Sequence, residues 1–277
     1  MHLLGQLDFL PGLAVLAGAS LAAGAVNSFA GGGTILTFPV LGAILPESPG
    51  RLVTANATST IGLWPGAATA AWAYRGERGD LPGWARWLVV PSVLGAAAGT
   101  LLVLALPPSW FDALVPWLIL LAAVTFAMQP QLARLSASAP GRDAPAAERP
   151  ATATPARIAA ACGLQFLVGV YGGYFGAGIG ILMLAVLAML GLGDIHRLNG
   201  VKNVLGTVVN GVAAALFAAG SLAGWHAVSW PHAAVMAGAA VLGSLGASHL
   251  ARRMPAGVVR RLVALIGFAL AAYYFLR

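Results

Sequence analysis

Cysteine is nearly absent from this chain. Cys162 stands alone, so neither an internal disulfide nor a cysteine-built metal centre can form. Lysine is as rare: Lys202 is the only one. Charged residues make up 8% of the 277 residues, far below what keeps a soluble domain of this size in solution. The formal net charge of +7 is no nucleic-acid footprint, because no stretch builds the basic face that phosphate binding needs. Catalytic constellations are missing too. No His/Glu pair has metal-ligand spacing on a helix, and no Ser/His/Asp arrangement can be placed. The glycine-rich runs lack the Lys-Ser/Thr ending of a nucleotide P-loop, which argues against an ATP-driven pump built from this chain alone. The expectation is a protein that is not an enzyme, takes no metal or cofactor and binds no nucleic acid. Among the histidines, His226 and His232 flank Trp230 in an expected outer loop, His196 pairs with Asp194 in a loop, and His249 snorkels near a helix end. No Lys or Arg precedes the first apolar run, which argues against a cleaved signal peptide.

What the chain has instead is apolar length. Hydrophobic residues make up 59% of it, in runs that approach the roughly 20 residues a helix needs to cross a bilayer. Ten apolar segments are legible: Phe9 to Ala30, Thr34 to Leu45, Leu52 to Tyr74 with Pro65 as a kink, Trp87 to Leu106, Phe111 to Met128, Arg157 to Phe175, Ile179 to Leu192, Leu198 to Ala219, His232 to Leu250 and Val258 to Leu276. The stretch Gln131 to Ala156 carries Pro140, Pro145, Pro150 and Pro155 with scattered charge, and reads as a flexible linker. Segments Thr34 to Leu45 and Ile179 to Leu192 are too short to span and are expected as half-helices or arms of re-entrant hairpins. Gly95-x-x-x-Gly99 suits a homodimer interface and internal helix packing equally well.

The two halves resemble each other. Gly24-x-x-Asn27-x-Phe29-Ala30-Gly31-Gly32-Gly33 aligns with Gly169-x-x-Gly172-x-Tyr174-Phe175-Gly176-Ala177-Gly178. Asn56 then falls opposite Asn199, and Leu94-Gly95 with Pro107 opposite Leu242-Gly243 with Pro255, all in the same order. Charge orients the halves. The loop Arg75 to Arg86 is arginine-rich and its counterpart Ser221 to Pro231 is not, whereas Pro107 to Trp110 lacks arginine and its counterpart Arg252 to Arg261 is rich in it. Placing the arginine-rich loops and the linker in the cytoplasm leaves only Arg51 and Arg277 outside. Matching loops of opposite bias mean inverted halves, the plan of many secondary transporters, with the site at the midplane. The expected fold is therefore all-α, a polytopic membrane helical bundle. It comprises a first repeat over 1–130, a cytoplasmic linker over 131–156 and a second repeat over 157–277, five segments per repeat, with short or broken helices at the glycine-rich motifs.

Those motifs hold the candidate chemistry. The run Asn27-Ser28-Phe29-Ala30-Gly31-Gly32-Gly33-Thr34 interrupts an apolar stretch, and three glycines do not hold a helix interior. A helix restarting at Thr34 presents N–H groups that must face protein, water or a ligand, and such an end attracts anions. Tyr171-Gly172-Gly173-Tyr174-Phe175-Gly176-Ala177-Gly178 repeats the arrangement. Tight helix packing accounts for one such run; two in equivalent places favour a paired substrate site. Lys202 lies in Asn199-Gly200-Val201-Lys202-Asn203, with Asn210 two turns on. It either snorkels to the interface or serves a wet cavity. Asn56, Thr58, Ser59 and Thr60 give the first half a similar stripe without charge.

Taken as a set, these motifs resemble the TauE/SafE family of sulfite exporters. The resemblance rests on Asn27-x-x-Ala30-Gly31-Gly32-Gly33-Thr34-x-x-x-x-Pro39, on Ala55-Asn56-Ala57-Thr58 followed by Leu63-Trp64-Pro65-Gly66, and on Gly169-x-Tyr171-Gly172-Gly173-Tyr174-Phe175-Gly176-Ala177-Gly178 with Asn199-x-x-Lys202-Asn203. It covers nearly the whole chain outside the linker. It implies movement of small sulfur-containing anions, such as sulfite or organosulfonates, across the inner (cytoplasmic) membrane by export or uptake. Where some relatives carry a lysine in the first-half asparagine motif, this chain has Ala57 and Thr58. The partners expected are a small-molecule anion and membrane lipid. The expected substrate-binding residues are Asn27, Gly31, Gly32, Gly33, Thr34, Asn56, Thr58, Tyr171, Gly173, Gly176, Gly178, Asn199, Lys202 and Asn203. A passive anion channel and a non-transporting membrane assembly partner are the alternatives.

Overall fold

A computed structural model describes residues 9–29, 31–73, 82–137, 154–190, 192, 195–225, 228–250 and 256–276. Outside them lie His226, Asp194, Ala30, most of the loop from Arg75 and linker residues 138–153; so do the side chains of His196, Arg197 and His249. The described chain forms ten α-helices and no strand: α1 Phe9–Phe29, α2 Thr34–Ile44, α3 Arg51–Ala73, α4 Val89–Ala105, α5 Pro108–Ala137, α6 Pro155–Tyr174, α7 Ile179–Met189, α8 Ile195–Leu222, α9 Trp230–Leu250 and α10 Ala256–Leu276. A 3-10 segment, Gly83–Leu88, leads into α4. Only helices satisfy every backbone group within one segment, which is why a lipid-embedded chain this apolar adopts them.

Five of the described helices are long and apolar enough to cross a membrane, and the outward positions are large apolar side chains such as Trp117, Leu167 and Leu265. The short segments are as expected: α2 and α7 have 11 residues each. At 1.5 Å per residue each reaches about 16 Å, roughly half the hydrocarbon thickness. One boundary differs from expectation. Helix α5 continues through Pro130 to Ala137, into the stretch read as linker. Apolar spacing ends near Met128, and the last turns are amphipathic, so hydropathy alone does not reveal them. The linker's far end carries a capped helix start, with the Thr154 side chain accepting from the Arg157 N–H and Pro155 at the first helical position.

Small residues set the packing. Helix α1 lies on α9 and α4 on α6, with glycine at both crossings. Any Cβ on Gly24 or Gly243 would strike the Ala240 or Leu21 carbonyl, and one on Gly95, Gly99 or Gly173 the Phe166, Val170 or Ala96 carbonyl. The Gly95-x-x-x-Gly99 motif is thus an internal seam between α4 and α6. Helix α3 also packs on α8 and α9, α4 on α8, and α5 on α10. This list is unchanged when α1–α5 and α6–α10 trade places. Helices α3 and α8 run antiparallel: Thr207 Oγ1 lies 3.3 Å from the Ala67 carbonyl, while Gly211, one turn later, abuts Trp64. Helices α5 and α10 do the same, Trp117 meeting Phe275 and Ala123 meeting Gly267.

Candidate functional site

The two glycine breaks touch. The turn between α1 and α2 presses directly on the turn between α6 and α7, backbone to backbone. A Cβ on Gly31 would stand 2.9 Å from Gly180 Cα, and one on Gly32 2.6 Å from the Gly178 nitrogen. Gly32 (φ 143°) and Gly178 (φ 77°) both occupy conformations closed to ordinary L-residues. Repetition of the break in the sequence therefore has a direct physical meaning: each break is the packing partner of the other.

The first break closes on itself through one side chain. Asn27 Oδ1 accepts from both the Gly32 and the Gly33 N–H at 2.7 Å. The start of α2 is therefore not a bare cluster of N–H groups, as the glycine run suggested; the asparagine one turn before the break takes two of them. The second break uses another device. The Tyr171 hydroxyl donates to the Ala177 carbonyl at 2.6 Å, and the N–H groups of Phe175 and Gly176 donate to the Tyr171 carbonyl. Replacing Asn27 by alanine leaves two inner N–H groups without their acceptor, at about 1–3 kcal/mol each if water does not replace it. We expect Asn27→Ala to lower the melting temperature of the purified protein clearly, whereas Ser28→Ala, which removes only a bond to the Gly24 carbonyl within α1, should lower it little.

Beside the crossed breaks, between the later half of α3 and the earlier half of α8, lies a cavity with ≈ 40 Å³ of water-accessible space. At about 10–15 Å³ per water this holds roughly three waters, or one small anion of similar bulk. Asn27, Gly31, Gly32 and Thr34 supply one side, and Gly176, Ile179 and Gly180 the side facing them. Thr60, Leu63, Ala67 and Ala70 come from α3; Lys202, Asn203, Gly206, Thr207 and Asn210 come from α8. Lys202 is 2% exposed. A snorkelling lysine would hold its ammonium at the protein's rim, so burial against this cavity favours the other reading. The two helices are stitched there by the Trp64 indole N–H, which donates to the Thr207 carbonyl at 3.2 Å, and the Asn210 amide folds back on the Gly206 carbonyl.

Of the residues singled out in the sequence, Asn27, Gly31, Gly32, Thr34, Gly176, Lys202 and Asn203 line this cavity. Gly33 packs against Ala23 of α1, Gly173 against Ala96 of α4, and Gly178 caps the start of α7. Tyr171 turns its hydroxyl to the Ala177 carbonyl, and half-buried Asn199 is not in the described lining. Asn56 and Thr58 lie beyond the cavity: the Asn56 amide donates to the Tyr174 carbonyl at 2.9 Å, and Thr58 Oγ1 accepts from the Ser229 N–H at 3.0 Å. Thr207 was not foreseen. It sits one turn after Asn203, so continuing the polar stripe of α8 at helical spacing would have found it. Among the described residues, no group of three metal-ligating side chains is assembled.

The family pattern described as "Sulfite exporter TauE/SafE" matches residues 16–274. A curated protein of Sinorhizobium sp, "Probable membrane transporter protein ORF9", is 28% identical over 265 residues, which cover 94% of this chain and 90% of the relative. No solved structure matches.

Proposed function

The chain belongs to the sulfite exporter TauE/SafE family and is a multi-pass membrane transporter; from that premise we propose that its cargo is a small sulfur-containing anion, sulfite or an organosulfonate. The observation that carries this reading is the placement of Lys202, buried at the crossed helix breaks in a cavity of one-anion size. A small oxyanion presents one or two negative charges and several acceptor oxygens. An ammonium supplies charge and three donors, and Asn27, Asn203, Thr60 and Thr207 offer amides and hydroxyls around it. The cavity has room for a compact tetrahedral or pyramidal ion and none for a nucleotide. A thermal-shift series tests the substrate class. Sulfite, sulfate, thiosulfate and sulfonates are compared with small carboxylates and with chloride at equal ionic strength. Sulfur oxyanions should raise the melting temperature and chloride should not, because a ligand that binds only the folded state stabilises it by mass action. A carboxylate that stabilises more than any sulfur anion would reassign the cargo.

The seat is proposed to be the inner membrane, with two inverted repeats. The antiparallel pairs α3 with α8 and α5 with α10 support inversion, since each pair joins equivalent segments of the two halves. The arginine distribution then puts the linker inside and the loop before α5 outside. In a Cys162→Ala background, an impermeant maleimide added to intact cells should label Ser109→Cys and leave Ser138→Cys untouched. Labelling of the linker cysteine from outside would overturn this orientation.

A further inference from the structure

The cavity at Lys202 follows only half of each central helix. It tracks α3 from Thr60 to Ala70 and α8 from Asn210 back to Lys202. Because the two helices are antiparallel, these halves lie at one end of the bundle. Toward the other end α3 is enclosed on every side: Val53, Ala55, Asn56, Ala57, Thr58 and Ser59 are all buried. Beyond that shut zone a second hollow opens, of ≈ 410 Å³, lined by Glu47, Ser48, Arg51, Leu52, Asp112 and Tyr274.

An aromatic plug separates the two hollows. Phe175 adjoins cavity-lining Gly176 in sequence, and its ring meets Phe38 edge-on at 5.2 Å. Phe38 lies 6.3 Å from Tyr274, which lines the second hollow. Phe111 touches the same cluster, 6.4 Å from both Phe38 and Phe175 and 5.5 Å from Tyr174, and it precedes Asp112 of the hollow. The three phenylalanines are fully buried. Yet this zone also holds polar groups. Thr37 and Ser59 bond to each other at 2.7 Å, and Asn56 Oδ1 and the Tyr174 hydroxyl are buried with no hydrogen-bond partner among the described residues. A partnerless buried polar group is costly, about 1–3 kcal/mol, and an apolar residue of like shape would avoid the cost. Polar groups left dry between two hollows are what a passage looks like when it is closed.

We infer that Phe38, Phe111 and Phe175 form a gate that closes the passage between the Lys202 cavity and the hollow at Arg51, and that Asn56, Ser59 and Tyr174 line that passage when it opens. The inference rests on the transport reading above. Opening requires the α2 ring of Phe38 to leave the α6–α7 break at Phe175. Short helices such as α2 and α7 can tilt for this without breaking a long span.

Cysteine accessibility tests the gate without any substrate, so its outcome does not depend on which anion is carried. In purified Cys162→Ala protein, Ser59→Cys should resist a thiol probe small enough for the cavity, the silver ion, while half-buried Ala67→Cys at the cavity reacts. Phe38→Ala should remove that protection, bringing Ser59→Cys to a reaction rate like that of Ala67→Cys. Reconstituted Phe38→Ala should also leak anion passively, with both ends open at once. If Phe38→Ala does not yield monodisperse protein, Phe111→Leu, a smaller loss of volume, carries the same test. Ready labelling of Ser59→Cys with the plug intact, or full protection after the plug is trimmed in folded protein, would overturn the gate. Failure of every anion to bind or cross, with the accessibility pattern as expected, would instead count against the proposed cargo.

Discussion

Lys202→Met is expected to abolish stabilisation of the protein by sulfur oxyanions while leaving the fold intact. Methionine matches the reach of lysine and fills the same space at the α8 wall, so packing is conserved while charge and donors are lost. Burying a lysine at mid-membrane costs roughly 2.5–3.5 kcal/mol on insertion scales, and methionine avoids that cost, so the methionine protein should still fold without ligand. With ligand the order reverses. At an anion concentration a hundredfold above Kd, wild type gains about 2.7 kcal/mol, a shift of several degrees, and Lys202→Met gains nothing. Lys202→Arg separates charge from chemistry. The guanidinium keeps the charge and retains partial binding, but it is bulkier in a cavity of ≈ 40 Å³, so turnover should slow. An equal anion-induced shift in wild type and Lys202→Met, read by thermal unfolding in the same detergent, would move the anion site elsewhere.

Gly32→Val should cost the fold itself. The sequence alone suggests a lesion in transport with expression largely spared, on the idea that a ligand approaches this backbone. The structure changes that expectation. A Cβ on Gly32 meets the Gly178 nitrogen at 2.6 Å and the Phe126 ring at 2.8 Å, so the position is crowded by the second break. Its φ of 143° adds strain of about 1–3 kcal/mol for any side chain, and overpacking adds about 1–3 kcal/mol more. Gly32→Ala should already lower the yield of monodisperse protein, and Gly32→Val should nearly eliminate it. Gly18→Val in the same helix region serves as control, because a Cβ there meets nothing within 4 Å. Fluorescence-detected size exclusion reads both. A monodisperse, thermally normal Gly32→Val would mean the two breaks do not press on each other as described.

The helices were readable because lipid makes apolar length a direct report of spanning. All ten segments appear, nine of them within a few residues of their expected bounds and α5 running nine residues past its expected end at Met128. Lys202 was legible as well, since a lone lysine among asparagines conflicts with its apolar surroundings. What the sequence hid is which neighbour each small or polar residue meets. Asn56 and Asn199 are equivalent in sequence, yet Asn56 is spent on the Tyr174 carbonyl in the closed zone. Asn27 does line the cavity, but the sequence did not reveal that its oxygen also holds the break shut. Gly173 resembled part of the substrate loop and packs on α4. These are contacts between residues far apart in the chain, and residue type alone carries no information on them. The aromatic plug was likewise invisible, because Phe38 and Phe111 come from two helices and Phe175 from the second break, and each reads locally as an ordinary apolar residue.

The most direct measurement of the account is counterflow of labelled sulfite into proteoliposomes preloaded with unlabelled sulfite. A transporter that exposes the Lys202 cavity to one side at a time will drive transient accumulation of label above equilibrium, and Lys202→Met vesicles will show none. Uptake that never exceeds equilibrium would contradict the account in favour of a passive channel, and accumulation undiminished in Lys202→Met would contradict the assignment of the site.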